Sequence, residues 1–305
     1  MASRLRTALF GYRELLAVLV AAIIGLSVQR PLVWLTSHQG INVGLAILVF
    51  ATALTIEPAA LRRVRMSWRR LLAVLVVGIT VLPFLSWAVS RLVAPGSLRE
   101  GILTVGLAPC EIASVATTVM AGGEAAFAAG ILIGSTVATV ALSGLILSLE
   151  VGSASIDPWH ILVNLMLVVA APLAVGLTIR AFTPVGPRAE HAAMVTVTVV
   201  VACLVALIAA EIHLSARYVS VAGALVLFLA ASACLGWLLG RGARSPVASA
   251  ALLTTSMRDF AIAAGLATAA FGPDAAAPLG LYGILVLVWG TAVAGTLRRR
   301  QRAAG

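Results

Sequence analysis

The stretch TTSMRDF, residues 254–260, sets a guanidinium and a carboxylate side by side in a run that otherwise carries no charge. Arg258 and Asp259 follow Thr254, Thr255 and Ser256. A second polar stretch, GLAPCEIASVATTVMAGG (106–123), carries Pro109, Glu111, Ser114, Thr117 and Thr118. Ionisable side chains at bilayer depth are costly unless they pair or face a cavity. Such groups either neutralise one another or act on a solute. Pro109 removes a backbone donor and disfavours helix in the residue before it. An unwound stretch is tolerated inside a bilayer only where protein or a cavity surrounds it. Its half-helix ends offer partial charges to ions and anionic groups. Two such segments crossing would bring Glu111, Ser114, Arg258 and Asp259 within reach of one another. The expected substrate-binding set is therefore Arg258, Asp259, Glu111, Ser114, Thr254 and Thr255. Glu111 and Asp259 are also the candidates for coupling to a cation or proton.

Membrane helices must position these residues. The chain of 305 residues is 61% hydrophobic and 10% charged, which excludes an ordinary soluble domain. Its net charge of +10 would suit nucleic acid, but the arginines gather in short loops and at the ends. That is how topology determinants are placed, so the partner is the lipid bilayer and not nucleic acid. Apolar runs long enough to span predict ten helices, near 13–34, 40–58, 70–93, 98–121, 124–148, 157–180, 190–211, 217–240, 246–271 and 275–296. Sixteen arginines fall on the side of the two termini and four on the other, so both termini are expected in the cytoplasm of a cell-membrane protein. The N-terminal MASRLRTALFGYRE is too polar for the core of a signal peptide and is expected to be retained.

Residues 122–130 (GGEAAFAAG) and 272–280 (GPDAAAPLG) repeat Gly, acid, Ala, Ala and Gly in the same places. Two five-span repeats, 13–148 and 157–296, would have to sit in the membrane with opposite orientations. Inverted repeats are a signature of secondary transporters, whose sites lie at the repeat interface. The expected fold is thus all-α, one transmembrane unit over 1–305, with discontinuous crossing helices 4 and 9.

Other chemistries lack their motifs. There is no HExxH, no GxxxxGK[ST] and no pair of aspartates at matching depth, so an enzyme is not expected, nor a metal or cofactor. His38, His160, His191 and His213 fall near predicted span ends and form no ligand cluster. Glu57–Pro58 reads as a helix terminus before the arginine-rich 61–70. Cys110, Cys203 and Cys234 lie in apolar segments, an odd count that argues against a disulfide framework. One polar crossing between apolar helices suits an occluded site better than a channel.

Pro109 to Ser114 reads P-x-x-x-A-S and is followed by A-x-G-E-x-A at 121–126. With Ser256-Met257-Arg258-Asp259 standing where a G-M-Q-N pattern would, the chain resembles the bile acid:sodium symporter family. The resemblance implies a ten-helix fold with interleaved panel and core subdomains, and a transported organic anion. It also implies sodium ligands, and here this chain departs. Val115 follows the Ser, Ala128 and Leu132 replace hydroxyl residues on the next helix, and Thr254 and Arg258 replace an acid and a Gln. Sodium needs hard oxygen ligands, and a permanently protonated guanidinium would repel it. The expectation is that Arg258 takes the place of a bound cation, held by Glu111 or Asp259, in a carrier that is proton-coupled or uncoupled. The alternative is an arsenite-efflux permease using Cys110, because Gly106-Leu107-Ala108-x-Cys110 resembles the fourth span of those relatives. A thiolate is a soft ligand suited to arsenic, but Glu111-Ile112-Ala113-Ser114 and Phe260-Ala261 depart from their pattern.

Overall fold

A computed structural model describes residues 16–56, 68–151, 157–183, 186–212, 216–243 and 245–304. Glu57–Pro58, the arginines at 62, 63 and 65, His213, Arg244 and the first fifteen residues lie outside the described residues.

Every regular element among the described residues is a helix. In chain order they are α1 (Leu16–Ser27), α2 (Gln29–Ser37), α3 (Gly40–Thr55), α4 (Trp68–Ser90), α5 (Ser97–Leu107), α6 (Ala113–Met120) and α7 (Ala125–Val151). Then follow α8 (Pro158–Phe182), α9 (Pro187–Ala210), α10 (Arg217–Gly240), α11 (Ser245–Ser256), α12 (Phe260–Phe271), a 3-10 turn (Pro273–Ala276) and α13 (Ala277–Ala304).

Six of these helices are long and apolar enough to cross a membrane, and seven if α1 and α2 count as one bent span. The protein is therefore an integral membrane protein. The expected continuous span over 13–34 is not there: the chain turns by 96° between α1 and α2. Pro31 lies in the first turn of α2, where a missing N–H does no harm. The same residue could not have continued α1. Spans expected near 98–121 and 246–271 are each two short helices around a break, and this accounts for much of the gap between ten expected spans and the number of long helices. Within α8 the turn Met166–Ala170 widens to a π-helix just before Pro172, which has no N–H to give the preceding turn.

Lipid tails are as apolar as leucine, so burial between helices gains little, and close packing must hold the bundle together. Gly106 illustrates how. A Cβ on it would collide with the Leu82 carbonyl and the Ser86 hydroxyl, so α4 and α5 approach backbone to backbone. Ser86 then donates to Leu103 O at 3.0 Å across that contact. Helix α3 packs on α8 and α9, with α2 also on α9, while α4 packs on α5, α7 and α10, and α10 on α11. Tyr282, Phe127, Phe228 and Phe260 are fully buried among them. Outward faces carry exposed apolar side chains such as Val76, Phe84, Val226 and Leu145, as a lipid-facing surface requires.

Candidate functional site

The first break follows from Pro109. Ahead of it, Ala108 is extended at φ −64° and ψ 153°, the conformation a following proline imposes. Helix resumes only at Ala113. The second break, Met257–Asp259, contains no Pro or Gly. It ends because Asp259 caps α12: its Oδ1 accepts from the Ala261 N–H at 3.0 Å and the Ile262 N–H at 2.8 Å.

The two breaks lie against one another as a short antiparallel pair, with Cys110 opposite Arg258. Glu111 N–H donates to Met257 O at 2.8 Å, and Asp259 N–H to Pro109 O at 2.9 Å. Side chains satisfy several more of the freed backbone groups. Cys110 N–H donates to Ser135 Oγ at 3.1 Å, and Thr139 donates to Leu107 O at 2.9 Å. Arg258 N–H donates to the Tyr282 hydroxyl at 3.2 Å, and Phe260 N–H to Glu111 Oε2 at 3.3 Å. Trp289 Nε1–H reaches Ser256 Oγ at 3.0 Å. An unsatisfied backbone group in hydrocarbon costs several kcal/mol, so this web is what permits two unwound segments at such depth.

All six expected site residues are buried: Arg258 and Glu111 at 3% exposure, Thr255 at 1%, and Ser114, Thr254 and Asp259 at 0%. They gather at the crossing, but not in the expected pairing. Among the described residues, no guanidinium nitrogen of Arg258 comes within 4.0 Å of a carboxylate oxygen of Glu111 or Asp259. The cause is backbone geometry. In an extended pair, neighbouring side chains leave by opposite faces. Arg258 therefore shares a face with Cys110, while Glu111 and Asp259 leave on the other. The Arg258 Nη2 donates instead to Ala108 O, the carbonyl just before Pro109. A Cβ on Gly78 would stand 3.6 Å from its Nη1, so α4 borders the guanidinium closely.

Roles within the set also differ. One oxygen of Asp259 is engaged in capping, and Thr254 donates to its own helix at Ala250 O, 2.8 Å away. Four buried polar atoms around the crossing have no hydrogen-bond partner: Arg258 Nε, Asp259 Oδ2, Ser114 Oγ and Thr255 Oγ1. Buried polar atoms are ordinarily satisfied, so this concentration is unusual. No group of three or more His, Cys, Asp or Glu able to hold a metal occurs among the described residues.

Sequence reasoning missed four contributors. Ser135 and Thr139 lie four apart on α7, and Tyr282 and Trp289 seven apart on α13, spacings that put each pair on one helix face. A hydroxyl row and two aromatics with polar tips facing the same break were the available signal.

The model of the family described as Sodium Bile acid symporter family matches residues 42–222, more than half of the chain, including the first break but not the second. A protein of Bacillus subtilis (strain 168), "Uncharacterized sodium-dependent transporter YocS", is 24% identical over 275 residues, 88% of this chain and 85% of its own.

Proposed function

The chain belongs to the sodium bile acid symporter family, and we propose from that premise that it is a secondary active transporter of a small or amphipathic organic anion. It works by alternating access, with Arg258 as a fixed cation in place of bound sodium. The observation that carries this reading is the contact of Arg258 with the Ala108 carbonyl at the crossing. A metal ion seated between two unwound segments would take carbonyl oxygens of this kind. A tethered guanidinium occupies one and keeps donors for an anion.

In this reading the ten spans comprise α1 with α2, the helices α3, α4, α7, α8, α9, α10 and α13, and the two broken helices, α5–α6 and α11–α12. The short antiparallel pairing supports a two-fold relation between halves, since exchanging the segments around Cys110 and Arg258 exchanges its two backbone bonds. Helices α1, α2, α3, α8 and α9 form the panel and the rest the core. Both termini are cytoplasmic, in the cell membrane. Ser114 and Thr255 line the binding site, and Glu111 or Asp259, on the face opposite Arg258, carries any coupled proton. Arsenite export through Cys110 is the lesser reading, since the other two cysteines, Cys203 and Cys234, are exposed while Cys110 is buried.

The test is a panel of carboxylates, sulfates and sulfonates screened for saturable stabilisation of the purified protein. At least one is expected to stabilise the wild type and not Arg258→Gln. Anions that stabilise both equally would remove Arg258 from the site. Arsenite alone stabilising the protein, and losing its effect in Cys110→Ala, would favour the lesser reading.

A further inference from the structure

We infer that the two tryptophan–arginine pairs where α4 begins and α10 ends form one binding site for the phosphodiester head of an anionic phospholipid. The site lies apart from the crossing of the broken helices and does not depend on what the protein transports.

On α4, the Arg69 guanidinium lies over the Trp68 ring, 5.6 Å from its centre. On α10, the Arg241 guanidinium lies over the Trp237 ring at 5.1 Å. A third arginine joins the two helix ends. Arg70 Nη2 donates to the Gly242 carbonyl at 2.7 Å, and Gly242 takes a left-handed φ of 68° directly after Arg241. Arg70 thereby ties the cationic start of α4 to the residue next to Arg241. A guanidinium has five N–H donors and a phosphodiester offers only acceptors, so one bond to a carbonyl leaves Arg70 able to take a phosphate oxygen as well. Among the described residues, no carboxylate oxygen lies within 4.0 Å of these three guanidinium groups. Glu124 approaches the same loop through its backbone, its N–H donating to Pro246 O at 3.0 Å, without pairing with any of them. The sequence carries no acid at 61–70 or 236–246, and adds Arg62, Arg63, Arg65 and Arg244.

The surroundings select a lipid over a soluble anion. Trp68, Arg69, Trp237 and Arg241 are all exposed, and tryptophan with arginine at the end of a span belongs at headgroup depth. On α4 the exposed face continues from Trp68 through Leu72 to Val76. On α10 it continues from Trp237 back through Cys234 and Ala230 to Val226. Spacings of three and four keep each set on one helix face. Because α4 and α10 pack on each other, a head held by the arginines can lay its acyl chains along both apolar faces. This end carries the arginine excess and is the one proposed above as cytoplasmic, where the leaflet is rich in anionic lipid. A lipid bound in this way clamps the start of α4 to the end of α10.

The experiment uses the full chain in phosphatidylcholine nanodiscs into which phosphatidylglycerol is titrated, with the unfolding temperature as the readout. The wild type should gain stability saturably with phosphatidylglycerol, and inorganic phosphate added to phosphatidylcholine nanodiscs should give no such gain. Arg69→Gln combined with Arg241→Gln should weaken the phosphatidylglycerol effect about thirtyfold, the loss expected from two arginines near a lipid surface. Both positions are exposed, so this variant should unfold at the wild-type temperature in phosphatidylcholine alone. Arg69→Lys with Arg241→Lys keeps the charge, guards against a folding defect and should still be stabilised. Arg298→Gln with Arg299→Gln removes equal charge from the same end of the molecule and should match the wild type. Equal losses in the two Gln variants would mean diffuse attraction and overturn the site. A wild type that does not distinguish phosphatidylglycerol from phosphatidylcholine, or that phosphate stabilises as well as the lipid does, would overturn it too.

Discussion

Arg258 and Asp259 are adjacent in the chain and separate in what they do. The guanidinium holds the Ala108 carbonyl, and one carboxylate oxygen holds the first turn of α12. The capping role predicts that Asp259→Asn keeps the protein's stability, because Asn caps as well as Asp. Asp259→Ala should lose about 1 kcal/mol, read as a lower unfolding midpoint. If Asp259 also carries a coupled proton, Asp259→Asn removes the pH dependence of uptake without lowering stability, a split a purely structural role would not give. Tyr282 gives a second case. Tyr282→Phe leaves the buried Arg258 N–H without its acceptor and should cost roughly 1–3 kcal/mol in unfolding. Both residues tested what a sequence reveals. The oddity of Arg258–Asp259 in an apolar run was visible from charge alone, whereas the opposite-face geometry that keeps Arg258 from Glu111 was not, because it depends on the pairing of segments about 150 residues apart in sequence. The N-cap was legible in principle, as an Asp directly ahead of an apolar helix, FAIAAGLATAAF.

At the scale of elements, proline marked two of the interruptions, although Pro83 lies inside α4 without breaking it. Pro109 announced the first break, and Pro31, which interrupts the expected first span, marks where α1 gives way to α2. The second break has no such marker and was legible only through its charged pair. The rows Ser135–Thr139 and Tyr282–Trp289 were passed over because hydroxyls in membrane helices often serve their own backbone and aromatics usually just pack. Here they hold the breaks together. The paired segments should therefore behave as ordered structure despite lying outside any helix. Hydrogen exchange is expected to be slow at the amides of Glu111 and Asp259, comparable with the middle of α12. Exchange as fast as in a surface loop would mean the breaks are not paired in the membrane. Close packing predicts a further element-level effect: Gly106→Leu should separate α4 from α5 and sharply lower the unfolding temperature, since the Leu82 backbone carbonyl is among the colliding atoms.

For the whole molecule, the similarity to the Bacillus subtilis protein runs along most of both chains. The charge bias predicts cytoplasmic termini. Cysteine probes at residue 155 and near residue 303 should be labelled from opposite sides, the first from outside. Labelling of both from one side would contradict the ten-span reading. The relative is described as sodium-dependent, yet here a guanidinium stands at the crossing. The most direct measurement is therefore the unfolding temperature of the purified protein against sodium, with choline replacing it at constant ionic strength. Arg258 as the fixed cation predicts no sodium-specific change. A saturable sodium-specific rise, about 2.7 kcal/mol at a hundredfold excess over the dissociation constant, would contradict it and restore sodium as the coupling ion.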